Sequence, residues 1–279
     1  MTRAHTRAIE TLTVSSWLEL IEAVYVESWD AFIGRFRSPW VFRGVCDARA
    51  DLSTSLMRLA AGYQELARLE SHILRNFRKY AHLEVGSAFG NSVWNWLALA
   101  QHHGLQTRLL DWTYSPFVAM HFATNDISAF DRDGAIYCIN HRSANQLIPA
   151  SLKKQTGIEG FDVFTAEMLD RVADTLEKFD KLSKDAFIIF LEPPSLDARI
   201  VNQFALFSLV NNPTLSIDDL LAQHPELARK IVIPAQIKWE VRDKLDQAGI
   251  TERVLHPGLD GLSRWLSRYY TPHPRGRAR

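Results

Sequence analysis

Cysteine is nearly missing from this chain: only Cys46 and Cys138 occur in 279 residues. They match no metal-ligand spacing, so neither a disulfide framework nor a zinc site is expected, and both read as small buried hydrophobes. An excess of charge is missing too, with 32 Lys plus Arg against 32 Asp plus Glu. No global positive field therefore gathers nucleic acid, and any such contact has to be local. The local candidate is the C-terminal set Arg264, Arg268, Arg275, Arg277 and Arg279, for which a frayed, solvated terminus is the alternative. No segment approaches the roughly 20 apolar residues of a membrane span, and residues 1–13 lack the apolar run of a signal peptide. A cytoplasmic protein without membrane contact is expected. Also absent are the Gly-x-Ser-x-Gly elbow, the Gly-x-Gly-x-x-Gly turn and the Walker phosphate loop. That argues against serine hydrolases of the elbow type and the standard nucleotide-binding folds.

What is present is an ordinary globular balance, 47% hydrophobic and 23% charged, which predicts a folded chain almost throughout. Ser15 or Ser16 can cap a helix whose apolar stripe is Trp17, Leu18, Ile21, Val24 and Tyr25. The aromatic and β-branched run 39–45 predicts a strand that delivers Arg43 near its end. Helical periodicity predicts helices over 63–81 and 93–103, the second stopping at Gly104. A short strand at 107–112 and a helix over 117–124 follow, the helix entered through Ser115 and Pro116. Strands are predicted at 134–139, 186–191, 199–209 and 230–233, with a longer helix over 162–183 and further helices over 218–222, 237–248 and 261–270. No repeat or linker interrupts them. Early helices with late strands predict one α+β domain: a mixed β-sheet core with an N-terminal helical part.

The chemistry concentrates in Gln101-His102-His103-Gly104-Leu105-Gln106-Thr107-Arg108-Leu109-Leu110-Asp111-Trp112-Thr113. Amide, imidazole, guanidinium, carboxylate, indole and hydroxyl groups meet there between two predicted helices, which can aim them at one cleft. The alternative is a buried polar network in which Arg108 pairs with Asp111 and the histidines finish a helix. Adjacent histidines on a helix point about 100° apart, so His102 and His103 do not read as a joint metal site. Glu70 and Glu84 lie in helical surroundings and can serve as acid and base or simply as solvated carboxylates.

Phe42-Arg43-Gly44 together with the Gln101 to Thr113 segment resembles the FRG-domain family, named for its Phe-Arg-Gly tripeptide. Ser55, Arg58, Pro116 with Ala119, Phe122 and Ala123, Gly134-Ala135-Ile136-Tyr137, Arg199-x-x-x-Gln203-x-x-x-Phe207 and the run 256–262 extend the likeness across 15–270. This leaves 1–14 as a flexible N-terminus and 271–279 as a basic flexible tail. A weaker likeness joins it to proteins that transfer ADP-ribose from NAD. Those often place an arginine at the end of an early strand, a Ser/Thr strand leading into an Ala- and Phe-containing helix, and Glu or Gln on a late strand. Arg43, the stretch 113–123 and Gln203 follow that order.

This likeness implies an ADP-ribosyltransferase-like fold and an NAD-using enzyme without a metal, a bacterial toxin or phage-defence effector. The acceptor is left open among nucleotide, nucleic acid and protein. Ligand contacts would come from Arg43, Gln101, His102, Thr107, Arg108, Trp112 and Thr113, with Asp111, Glu70, Gln203 and His103 nearest the chemistry. The rival readings are a recognition module that binds without turnover and a metal-independent phosphodiester hydrolase using His102 or His103.

Overall fold

The computed structural model describes residues 8–63, 65–85, 89–195 and 197–272. Strand β1 (Glu10–Thr13) precedes helix α1 (Trp17–Tyr25), a hairpin of β2 (Trp29–Asp30) and β3 (Arg35–Phe36), and strand β4 (Trp40–Val45). Helices α2 (Ser55–Leu59), α3 (Leu66–Val85) and α4 (Val93–His102) lead to β5 (Leu110–Thr113), α5 (Pro116–Ala123) and β6 (Gly134–Asn140). Next come α6 (His141–Ala144), α7 (Ala150–Glu159), α8 (Ala166–Asp170), α9 (Leu176–Asp180), β7 (Ile188–Leu191), α10 (Ala198–Asn202) and β8 (Ala205–Val210). The last elements are α11 (Ile217–Gln223), β9 (Ala228–Ile233), α12 (Lys238–Gln247), α13 (Glu252–Leu255) and α14 (Leu259–Tyr269).

Seven strands form one mixed sheet in the order β1-β9-β6-β4-β5-β8-β7, parallel only where β1 meets β9, so the α+β class stands. Side chains alternate along each strand and thereby sort the core onto two faces. One face carries Phe42 and Ile136 under Ala119, Met120 and Val241, and further along carries Phe207 and Leu209 under Trp94 and Leu97. The other face packs Val41, Leu110, Trp112 and Leu206 against Leu220 and Leu221.

The break that matters lies between β4 and β5. Strand β4 pairs with β6 through six residues, Trp40↔Asn140 to Val45↔Ala135, but with β5 only at Phe42↔Thr113. Beyond that pair the two strands part. Gly44 stands at the parting, where a Cβ would sit 1.8 Å from the Ala119 carbonyl oxygen. Helix α5 therefore rests directly on β4, and any side chain at residue 44 would push it away. The entry to α5 is set as expected: Ser115 Oγ accepts from Val118 N at 3.4 Å, and Pro116 occupies the first helical position.

Three expectations are corrected. Residues 10–13, assigned to a flexible N-terminus, form the edge strand β1 in register with Arg229 to Val232. All four are exposed, so main-chain pairing rather than side-chain burial holds them, and hydropathy carries no trace of it. The 199–209 strand is split: Asp197 Oδ1 accepts from Ile200 N at 3.0 Å and caps the short α10. Phe204 then turns with φ 47 before β8 begins. The 162–183 helix is broken into α8 and α9, because Thr165 and Thr175 each cap a new turn. Between them the Ala173 carbonyl accepts from Trp94 Nε1 at 2.9 Å.

Candidate functional site

A cavity of about 230 Å³ opens at the parting of β4 and β5, lined by Arg43, Gly44, Asp111, Thr113 and Gln203, with Phe122 and Arg199 at its sides. Its polar groups come from three distant stretches of chain, joined by sheet pairing and by α10. Strand parity puts Arg43 with Val41 and Val45, on the face opposite Phe42. Its guanidinium nevertheless meets β5 across the gap, Nη1 donating to the Asp111 carbonyl at 2.7 Å. A side chain thus takes the acceptor left over where the ladder stops.

Arg43 is half-buried, its Nε is buried without a hydrogen-bond partner, and no carboxylate among the described residues forms an ion pair with it. Burial lowers its pKa, the nearby Asp111 raises it, and Arg58 lowers it further; the net shift is downward. An enclosed cation left without a counter-ion costs several kcal/mol unless something supplies negative charge or dipoles. That cost makes Arg43 a candidate ligand contact more than a structural tie.

Asp111 is exposed on β5, and its Oδ2 accepts from Gln101 Nε2 at 2.9 Å. Gln101, at the end of α4, is itself held: its Oε1 accepts from Thr107 Oγ1 at 2.6 Å. Thr107 Oγ1 in turn accepts from Leu109 N at 3.1 Å, fixing the turn into β5. On the same edge Thr113 Oγ1 donates to the Gln203 carbonyl at 2.6 Å, and Gln203 Nε2 donates to the Leu255 carbonyl at 2.8 Å. His102 reaches the same neighbourhood from the side, its Nε2 lying 2.7 Å from Asp197 Oδ2. Burial raises the Asp197 carboxyl, but the Ile200 amide and His102 outweigh it, and the net pKa falls. His102 therefore ties the end of α4 to the cap of α10, the short helix carrying Arg199 and leading into Gln203.

The structure does not bring every expected residue to this cavity. Arg108 and Glu70 are 3% and 1% exposed and pair with each other, Arg108 Nε donating to Glu70 Oε2 at 2.6 Å. Arg108 Nη1 also binds Asp180 Oδ1, and Nη2 reaches Asp180 Oδ2 at 3.2 Å. The expected Arg108–Asp111 pair is not made, because Leu109 and Leu110 carry Asp111 into the sheet while Arg108 turns toward α3 and α9. Burial raises the Glu70 carboxyl, with Arg108 pulling it down. Trp112 borders the cavity but is 3% exposed, its Nε1 donating to Ser208 Oγ at 2.8 Å, so it has no free ring face to stack on a ligand. His103 is the exposed C-cap of α4 and only lies edge-on to His102. Glu84 is exposed on α3, away from the cavity lining.

Sequence reasoning missed Phe122 and Arg199 as lining residues and Asp197 and Asp180 as partners. Arg199 stood in the Arg-x-x-x-Gln stretch without a role. The signal for Asp197 was its place before a short apolar run, the pattern of a helix cap.

Among the described residues no group of three or more His, Cys, Asp or Glu could hold a metal ion, and no helix is long and apolar enough to cross a membrane. Of the C-terminal arginines, Arg268 is buried against Glu252 and Asp246, while Arg275, Arg277 and Arg279 lie outside the described residues. Cys138 is buried as expected; Cys46 is only half-buried, its thiol donating to the Phe122 carbonyl at 3.1 Å. The family model described as FRG domain matches residues 38–132. This segment is an FRG domain. It supplies β4, β5 and α5, and with them Arg43, Asp111, Thr113 and Phe122. Gln203 and Arg199 reach the same cavity from beyond the matched FRG segment. No curated protein and no solved structure matches the chain.

Proposed function

We propose that this cavity receives the nicotinamide–ribose end of NAD and that the protein breaks that bond to transfer ADP-ribose, to water or to an acceptor. The observation that carries the reading is the meeting of Arg43, Asp111, Thr113 and Gln203 at one gap in the sheet, with no carboxylate among the described residues in an ion pair with Arg43. The order of parts expected of ADP-ribose transfer is thereby gathered in space, with one change: Gln203 stands on the turn before β8 rather than on the strand.

In the reaction the C1′–N bond breaks, nicotinamide leaves with the bonding pair, and positive charge develops on the ribose. Asp111 is the exposed carboxylate of the cavity, held by Gln101 where it can stabilise that charge or take the proton of an attacking nucleophile. Gln203 spends its amide N–H on Leu255, which leaves Oε1 to accept from a ribose hydroxyl. Arg43 supplies positive charge for ribose or phosphate oxygens. NAD consumption or modification of nucleic acid fits a toxin or phage-defence effector.

A second reading is recognition of a nucleotide without turnover. The observation on its side is that one Asp111 oxygen is already engaged by Gln101. Incubating the protein with isotopically labelled NAD and protein, DNA, RNA and free-nucleotide acceptors decides between them. Nicotinamide release or label transfer, lost in Asp111→Ala, is expected. Saturable NAD binding without release establishes the second reading, and no binding at all overturns both.

A further inference from the structure

The cavity at the β4–β5 gap, about 230 Å³, lies below the roughly 300–1,000 Å³ of pockets that enclose a whole drug-sized ligand. A dinucleotide therefore has to leave most of itself outside, and its two phosphates need cations where they emerge. The neighbouring surface has them. Phe122, a wall of the first cavity, meets the His256 ring edge-on at a centroid distance of 6.2 Å. His256 in turn lines a second cavity of about 400 Å³ with Arg264, Ser263, Ser267 and Asn125. The Phe122–His256 contact lies between the two cavities, with Phe122 and Arg199 lining the first and His256 and Arg264 lining the second.

Charge in this neighbourhood is unbalanced in a way that favours an anion. Among the described residues no carboxylate forms an ion pair with Arg199 or Arg264. The acid beside them, Glu252, is neutralised by Arg268, whose Nε and Nη2 donate to it at 2.5 and 2.7 Å. Burial first, and then both Arg199 and Arg264, hold the His256 pKa below its ordinary value, so all three groups share one field. Hydroxyls of Ser263 and Ser267 and the Asn125 amide add neutral donors at the rim. Planar guanidinium groups flanking an imidazole suit tetrahedral phosphate oxygens.

We infer that Arg199, His256 and Arg264 form a phosphate-binding subsite that holds the diphosphate of a dinucleotide whose nicotinamide–ribose end enters the Arg43–Asp111 cavity. This rests on the reading of that cavity as an NAD site. It divides the labour between regions: the FRG segment holds the reacting end, and the C-terminal part of the chain holds the charge.

The test uses the full chain and inorganic pyrophosphate as probe, titrated calorimetrically into the wild type, the Arg199→Gln/Arg264→Gln double variant and Asp111→Asn. Pyrophosphate binding at least tenfold weaker in the double variant, and unchanged in Asp111→Asn, is the expected result. Nicotinamide riboside, which carries no phosphate, is expected to bind an Arg264→Gln single variant, whose altered residue lies outside the first cavity, as it binds the wild type. Equal pyrophosphate affinity in wild type and double variant, or none in either, overturns the subsite whatever NAD does. Arginine-dependent pyrophosphate binding in a protein that ignores NAD leaves the anion site standing and removes the dinucleotide reading. Displacement of pyrophosphate by ADP-ribose is expected. Displacement by a 5′-phosphorylated oligonucleotide but not by ADP-ribose assigns the phosphates to the acceptor and overturns the inference.

Discussion

Arg108 is met by two carboxylates, Glu70 at 2.6 Å and Asp180, whereas Arg43 meets a main-chain carbonyl at 2.7 Å and keeps a buried, unpartnered Nε. Both arginines belong to the FRG segment, and both stood in the sequence as candidate ligand contacts. Their surroundings separate them. A charge that folding removes from water persists only if it is paired, and Arg108 is paired on every side that its fork offers. Burial lowers the Arg108 pKa, but Glu70 and Asp180 raise it more, so it ends above its ordinary value; Arg43 ends below. One arginine holds α3, α9 and the approach to β5 together, and the other lines a cavity with no carboxylate among the described residues in an ion pair with it.

The sharpest way to break this contrast is to remove the carboxylate from the structural arginine. Glu70→Ala leaves Arg108 buried with its fork half unpaired and is expected to lower the unfolding free energy by about 3–5 kcal/mol in urea denaturation. A loss under about 1 kcal/mol would put Arg108 in the same class as Arg43.

A titration extends the comparison to a third arginine, Arg242, which pairs with Asp246 but also presses Nη1 to His121 Nδ1 at 2.8 Å. Burial, then the Arg242 charge, pushes the His121 pKa down to about 3, so the folded protein keeps this ring neutral. The unfolded chain takes up a proton near pH 6.5, hence stability present above that pH falls as the pH drops toward about 3. The expected loss is about 1.4 kcal/mol per pH unit below 6.5. His121→Gln should flatten the slope, and an unchanged slope would show that the ring is already charged in the fold.

Smaller again is Thr113→Val, which removes the donor to the Gln203 carbonyl and is expected to cost about 1 kcal/mol. NAD should bind more weakly in this variant because the α10 turn loses its tie to β5; unaltered affinity would detach Gln203 from the site. The smallest effect on stability is expected at the arginine that lines the cavity. Arg43→Met should change unfolding free energy by less than about 1 kcal/mol, or raise it, because a poorly compensated charge is exchanged for a packed apolar chain. NAD affinity should fall at least tenfold in the same variant. A large destabilisation with binding intact would invert the roles of the two arginines.

The sequence conveyed much of this, and its failures have physical causes. Strand β4, helices α1 and α4 and the Ser115-Pro116 entry to α5 were legible because each carries a local signal, either apolar periodicity or a cap. Arg43, Asp111 and Thr113 were legible as polar groups in or beside short strands, whereas Gln203 was singled out through the resemblance and placed inside a strand over 199–209 that the structure splits. The Arg108–Asp180 contact was not, since the two residues lie far apart in sequence and meet only when α9 packs on α3 and α4. Nor was the fate of Trp112: in a four-residue strand between polar groups its ring has no preferred side until Phe190 and Leu206 claim it.

By itself the sequence determined the elements that carry a periodic or capping signal, the α+β class and a short set of residues with the means to bind and react, because period, capping and side-chain chemistry are local properties. Tertiary structure alone decided which of two arginines of the matched segment is sealed against carboxylates and which is left facing a cavity. Long-range packing sets burial and pairing, and together they turn an identical guanidinium into a structural tie or a candidate binding group.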